Sequence, residues 1–386
     1  MAWAEDLDAL CARIAGPLFT RPEPRVTFAD LVRGLLADVP RKNSWQLAEH
    51  VGHRSAHRLE WLLNGAKWDA DALRDQVRAY VVEHLGHPDG VLVADDTQAI
   101  KKGDKSVGVA PQHCGATGQI DNCQVMPMLT YASPLGHAFI DRRLYLPASW
   151  CEDPGRLDEA GVPADVVFTT KPHLVIEMLA AAITAGVRFS YFTADSGYGR
   201  DPALRGFCHD HDIAYVMAVP VDLPLIGSRG QATRPDLVAS RLEAADFERR
   251  SCGHGTKGER YYDWAAVAVT VKDQAPCDGK EHTLLVRRSV SKPSEIEYFL
   301  AHARQGAPAG ELIGVAGMRW KIEENNEHGK DLLGLDQYQV RKWTPWHRHV
   351  TTCMLAAAFL AVTRTDLPTD LGKDPQQREQ AATATH

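Results

Sequence analysis

Val91-Leu92-Val93-Ala94-Asp95-Asp96-Thr97 reads as a buried strand that ends in acid. The apolar run is short, rich in β-branched residues and preceded by Gly90, which fits a strand enclosed in a sheet. An acid at the exit of such a strand stands at the sheet edge where α/β folds bind their ligands.

The pattern continues downstream. Cys123 to Ala132 and His137 to Leu146 read as two more strands, joined by the turn Ser133-Pro134-Leu135-Gly136. Leu174 to Ala185 reads as a helix ended by Gly186, Phe189 to Ala194 as a strand, Leu204 to His211 as a helix and Ala214 to Val219 as a strand. Three strands, helix, strand, helix, strand is the order of a ribonuclease-H-like α/β core, whose first part is expected over 89–221. In 222–311 Pro, Gly and charge rise. There Trp264 to Val271 and His282 to Arg288 alternate like antiparallel strands, so a β-rich insertion is expected. The core is expected to resume over 312–364, with Met318 to Leu333 a helix stopped by Gly334 and Trp346 to Thr363 a strongly apolar helix. Residues 365–386 are polar and are expected to form a flexible tail.

Upstream, residues 1–88 read as helices. Ser44 is a suitable N-cap and Gly52 a suitable stop for one; a second lies near Ala56 to Leu63 and a third over Asp69 to Leu85. Two short helices around a Gly turn resemble a helix-turn-helix that binds DNA. A helical bundle packed on the rest of the chain explains them equally.

Composition bounds the function. The 386 residues are 44% hydrophobic, enough for a large core. No apolar run reaches the length of a membrane span, and the start, Met-Ala-Trp-Ala-Glu-Asp, lacks the basic segment of a secretory signal. A cytoplasmic protein is expected. Eight cysteines stand singly, with no Cys-x-x-Cys, which argues against a disulfide framework. The net charge of −7 argues against broad phosphate binding. Two facts reconcile it with DNA: basic charge can be local, and a metal-dependent nuclease needs an acidic centre.

Three acidic positions stand where such a centre needs them. Asp95 or Asp96 follows the first strand. Asp195 ends another, in Ala194-Asp195-Ser196-Gly197-Tyr198-Gly199. Glu323 lies in Arg319-Trp320-Lys321-Ile322-Glu323-Glu324-Asn325-Asn326-Glu327-His328-Gly329-Lys330, where helical spacing puts Arg319, Glu323, Glu327 and Lys330 on one face. Alone, such a helix is more often solvated and laced with salt bridges; the combination of the three acids is what carries meaning. Cleavage of a phosphodiester and transfer of a strand are in-line displacements, served by two Mg²⁺ or Mn²⁺ ions about 4 Å apart. Hard cations take oxygen ligands, so three carboxylates suit them and do not suit zinc.

The chain resembles DDE transposases of bacterial insertion sequences, in particular the group named after insertion sequence 701. The resemblance runs from about residue 25 to 363. It is carried by Ala94-Asp95-Asp96-Thr97 with Lys101-Lys102-Gly103, Ser106-Val107-Gly108-Val109-Ala110, Asn122-Cys123-Gln124-Val125, Arg143-Leu144-Tyr145-Leu146-Pro147, Ala194 to Gly199, Ile322-Glu323-Glu324 and Gly334-Leu335-Asp336-Gln337-Tyr338-Gln339-Val340-Arg341. It implies a ribonuclease-H-like catalytic domain with an Asp, Asp, Glu triad. Related transposases share Tyr-x2-Arg-x3-Glu-x6-Lys; Arg319, Glu323 and Lys330 match it, while Ala316 stands at the tyrosine position. The family pattern favours Asp95, two residues before Thr97, as first acid, with Asp96 as its rival.

Other residues extend this picture. Lys101, Lys102 and Lys105 could meet DNA phosphate, or form a solvated loop. Arg341-Lys342-Trp343-Thr344-Pro345-Trp346-His347-Arg348-His349 mixes bases with aromatics that could stack on an unpaired base or pack in the core. His113-Cys114 with Cys123, and Cys208-His209-Asp210-His211, match no standard zinc spacing. Ser196 lacks the Gly-x-Ser-x-Gly elbow of a hydrolase. The expectation is a cut-and-paste transposase acting on double-stranded DNA as a homodimer, with Arg319, Lys330, Lys101, Lys102 and Arg341 on DNA. A transposase-derived DNA-binding regulator without cleavage and a ribonuclease-H-like nuclease are the alternatives.

Overall fold

The computed structural model describes residues 2–255, 258–272 and 274–365. Its centre is strand β1, Val91–Ile100, which runs six residues beyond the apolar stretch. The extension has a physical cause. The polar half, Asp95 to Ile100, is paired backbone to backbone with Met128 to Cys123 on β3, so it needs no apolar run of its own.

Eleven further strands complete one mixed sheet: β2 Ala110–Cys114, β3 Gln119–Ser133, β4 Gly136–Arg142, β5 Tyr191–Ala194, β6 Tyr215–Val219, β7 Leu225–Gly227, β8 Ala232–Thr233, β9 Glu248–Gly255, β10 Gly258–Val271, β11 Lys280–Ser289 and β12 Ile296–Arg304. The order is β2-β3-β1-β5-β6-β12-β11-β10-β7-β8, with β4 also on β3 and β9 also on β10. Strands β1, β5 and β6 run parallel to one another, and β3, β4 and β12 run against their neighbours. The strands of 222–311 extend the central sheet, because β12 pairs with β6.

Five helices precede the sheet: α1 Ala2–Leu18, α2 Pro22–Leu36, α3 Ser44–His50, α4 His57–Asn64 and α5 Ala70–Leu85. The cap of α3 is Asn43, one residue earlier than the sequence suggests; its side chain accepts from the amides of Trp45 and Gln46. Further on lie α6 Lys171–Thr184, α7 Pro202–Asp210, α8 Ala309–Met318, α9 Trp320–Leu333 and α10 Trp343–Thr365. Helix α8 is weakly signalled, because Gly310, Gly314 and Gly317 lower its propensity. Burial of Leu312, Ile313, Val315 and Ala316 sustains it. Gly317 is required, since a Cβ there would sit 1.8 Å from the Cys252 carbonyl oxygen.

Helix α10 packs on α5 and β4, and α9 on β1, β3 and β4. The N-terminal helices are fixed to α10 by Arg348, whose buried guanidinium donates to the carbonyls of Leu63 (2.9 Å) and Trp68 (2.7 Å). The buried apolar core is continuous from Leu7 to Val362. The tail expected at 365–386 lies, from 366 onward, outside the described residues.

Candidate active site

Register brings the first two acids together. Strands β1 and β5 are parallel neighbours whose last pair is Ala94 with Ala194. The next residue on each is Asp95 and Asp195. Neighbouring strands lie about 4.8 Å apart and equivalent residues share a face, so these two carboxylates leave the sheet side by side. Asp96, one residue on, faces the other way.

The turn after β5 explains the motif Asp195-Ser196-Gly197-Tyr198-Gly199. The Asp195 carboxylate accepts from the amides of Gly197 (2.9 Å) and Tyr198 (3.1 Å) and so caps a single helical turn. Gly199 lets that turn lie on β6: a Cβ there would stand 2.0 Å from the Ala218 carbonyl oxygen. Tyr198 is thereby buried, and its hydroxyl donates to Asp96.

The third acid arrives from the opposite side. Arg319 is the junction of α8 and α9, and Glu323 lies in the first turn of α9. Arg319 Nη1 is 2.8 Å from Glu323 Oε1 and 3.8 Å from Asp95 Oδ2. Those two carboxylate oxygens are therefore within about 7 Å of each other, a span that bridging cations can close. Burial, and then the neighbouring charge of Asp195, push the Asp95 carboxyl up to about 7, against the opposing pull of Arg319. Asp96 is a different case. Burial raises its pKa too, but Lys171 pairs with it and the Tyr198 hydroxyl donates to it. Asp95 thus shares a cation with Glu323, whereas Asp96 already has its partners.

Several contributing residues carry no sequence signal. Lys171 belongs to α6, far from Asp96 in sequence. Helix α9 is set on the sheet by Asn325, which donates to Thr130 Oγ1 (3.0 Å) and bonds His137 Nδ1 (2.8 Å). Beside it, burial opposes ionisation of Glu324, yet His137 at 3.1 Å and Lys321 at 2.9 Å hold its carboxyl down to about 2. These contacts fix the height and rotation at which Glu323 is presented.

The basic candidates divide. Lys102 and Arg341 are exposed, and Lys330 is half-buried about 10 Å along α9 from Glu323. Lys101 is turned inward: its ammonium donates to the carbonyls of Asp336 (3.0 Å) and Tyr338 (3.1 Å) over the Tyr338 ring, and burial lowers its pKa to about 8. It joins the end of β1 to the segment before α10, so its ammonium is engaged within the fold. Trp346 is likewise buried, donating to the Tyr338 hydroxyl at 2.9 Å.

His209 meets His282 and His302, which are paired across β11 and β12. One nitrogen from each of the three rings lies within 4.8 Å of the others. The arrangement suits a metal poorly. The rings of His209 and His302 stack at 4.0 Å instead of converging edge-on. His282 Nδ1 and His302 Nε2 accept from the amides of Val271 (3.3 Å) and Cys277 (3.2 Å), which leaves the other nitrogen of each ring protonated and unable to ligate.

A family model described as DDE superfamily endonuclease matches residues 16–281. The chain belongs to the DDE superfamily of endonucleases. The match contains Asp95, Asp96 and Asp195 and ends before Glu323. This DDE endonuclease is 27% identical over 167 residues to the probable transposase for insertion sequence element IS701 of Microchaete diplosiphon. That alignment spans 43% of this chain and 41% of the relative. The cryo-EM structure of the piggyBac transposase synaptic complex with hairpin DNA aligns with 92% of this chain and 68% of its own, at a TM-score of 0.45 and 13% identity.

Proposed function

We propose that this DDE endonuclease is a DNA transposase that cuts and joins strands at the ends of an insertion sequence. The observation that carries the reading is the shared register of Asp95 and Asp195, with Glu323 brought to them across Arg319. The sheet order β4-β3-β1-β5-β6, with β1, β5 and β6 parallel, supports a ribonuclease-H-like core over 89–221 and 312–364. Residues 222–311 are then an insertion that lengthens the sheet, and 1–88 an N-terminal DNA-binding region.

The donor set fits two divalent ions, Mg²⁺ or Mn²⁺. It offers three carboxylates and no soft ligand, and Asp95 lies in a buried, negatively charged setting that a cation would relieve. Such ions supply charge stabilisation for the attacking and leaving oxygens of an in-line displacement. Asp95, Asp195 and Glu323 would hold them. Asp96, paired with Lys171 and bonded by the Tyr198 hydroxyl, is the alternative first ligand. Arg319, Lys330, Lys102 and Arg341 would position phosphates of double-stranded DNA, from transposon ends and from target. Pairing two ends calls for a homodimer, and the substrate places the protein on the bacterial nucleoid.

The test uses purified full-length protein with DNA carrying the element's ends. Asp195→Asn and Glu323→Gln should each reduce Mg²⁺-dependent cleavage by at least about a hundredfold while DNA binding persists. Cleavage at the wild-type rate in either variant overturns the triad. Cleavage by wild type without joining of a 3′-hydroxyl end to target DNA makes the protein a nuclease instead.

A further inference from the structure

Arg319 stands where the carboxylate centre calls for a cation. Its Nη1 touches Glu323 at 2.8 Å and reaches toward Asp95 at 3.8 Å, so it joins two acids from opposite walls of the site. We infer that Arg319 is the resident counter-cation of this centre in the free protein, and that its release couples metal loading to DNA engagement. This role rests on the reading of Asp95, Asp195 and Glu323 as metal ligands.

The electrostatics require a choice. Unit positive charges a few ångströms apart in a poorly hydrated cleft repel strongly, so a guanidinium between Asp95 and Glu323 opposes a divalent ion shared by the same oxygens. Arg319 can leave without disturbing the fold. Its side chain is about a quarter exposed, at 24%, and its backbone, at φ −52° and ψ −33°, is already helical. Rotation about side-chain bonds is enough. It lies on the face of α9 that also carries Lys330, where a phosphate would offer the displaced guanidinium a bidentate partner.

A phosphate and a metal therefore favour the same movement of one side chain. Whichever binds first removes part of the cost for the other, and the coupling must be reciprocal. Without DNA, Arg319 keeps the acids paired and metal affinity low. With DNA, the guanidinium transfers to phosphate and the carboxylates become available. Glu323 and Asp95 thus become a metal site chiefly when substrate is present, which limits stray cleavage.

The experiment is Mn²⁺ binding to the full-length protein, followed by electron paramagnetic resonance, with and without a generic DNA duplex at low salt. Wild type should bind Mn²⁺ about tenfold more tightly when duplex is present. Arg319→Gln should bind it about tenfold more tightly than wild type without DNA, and duplex should add little. The inference is overturned if wild-type affinity ignores duplex, a result that needs no variant. It is also overturned if folded Arg319→Gln binds Mn²⁺ no better than wild type. Glu323→Gln separates this failure from that of the triad: if it binds Mn²⁺ as wild type does, the ligand assignment itself has failed.

Discussion

Asp95 and Asp96 are adjacent, chemically identical and differently employed. Alternation along β1 sends one toward Asp195 and Arg319 and the other toward Lys171 and Tyr198. The spacing to Thr97 favours Asp95 through the family resemblance, and the β1–β5 ladder, which ends at Ala94 and Ala194, makes Asp95 and Asp195 the next residues on their strands. Asp95 also carries a stability cost with a definite sign. Its folded pKa is raised to about 7 from an ordinary value near 3.8. The folded state therefore binds the proton more tightly, and stability is lost as pH rises from about 4 through 7. Asp95→Asn should raise the Tm of the metal-free protein by about 2 °C at pH 8 and by less at pH 5, while abolishing cleavage. Differential scanning calorimetry at the two pH values checks it, and an equal or negative shift at pH 8 would count against the strained setting of Asp95. Tyr198→Phe tests the other aspartate. It leaves Asp96 buried with one partner fewer, so it should cost about 1–3 kcal/mol in urea unfolding. Unchanged stability would mean that the hydroxyl contributes nothing.

Elements were legible where apolar period and a turn residue agreed, and obscure where pairing or burial did the work. Strands β5 and β6 and helix α6 declare themselves by composition. The second half of β1 does not, because Asp95 to Ile100 is held by its ladder with β3. Strand β9 has little sequence signal for a related reason. β9 carries Arg249, Arg250, His254 and two glycines, and it exists because β10 offers an edge. Several motif residues that resemble the family prove to be joints of the fold. Gln124 donates to the Val107 carbonyl (2.7 Å) and accepts from the Tyr338 hydroxyl (2.7 Å), tying the loop after β1 to the segment before α10. The turn after β5 is the element on which the site depends most, and one glycine decides it. Gly199→Ala drives a methyl group into the Ala218 carbonyl. It should lift the turn, shift the Asp195 cap and reduce cleavage by at least about tenfold with secondary structure retained. Wild-type cleavage by this variant would show that the turn tolerates the displacement. The anchor of α9 makes a milder case: Asn325→Ala removes the bonds to Thr130 and His137, and should lower kcat more than it weakens DNA binding.

At the scale of the whole molecule, the strands of 222–311 share a sheet and a core with the rest, and the buried histidines lie at that junction. His302 on β12 pairs with Tyr215 on β6 and with His282 on β11, while His209 of α7 stacks over it. No residue spacing announces this row, since His209 comes from α7 and the other two from separate strands of 222–311. Burial, with mutual repulsion and the nearby Arg205 and Lys280, pushes His282 down to about 3 and His302 down to about 4, and lowers His209. Asp210 and Asp212 pull weakly the other way. A histidine whose folded pKa is depressed supports the fold above its ordinary value near 6.5, and that support is lost as pH falls toward 4, where the unfolded chain takes up the protons. Acidification should therefore loosen the joint between the strands of 222–311 and β6 before β1 and β5 are affected. His282→Asn keeps an acceptor for the Val271 amide and removes one titrating ring. Relative to wild type it should be less stable at pH 7.5 and closer to wild type at pH 5, with amide exchange in β11 and β12 showing the same crossover. A stability difference that stays constant between the two pH values would show that the ring only fills space, and that the row does not sense acid.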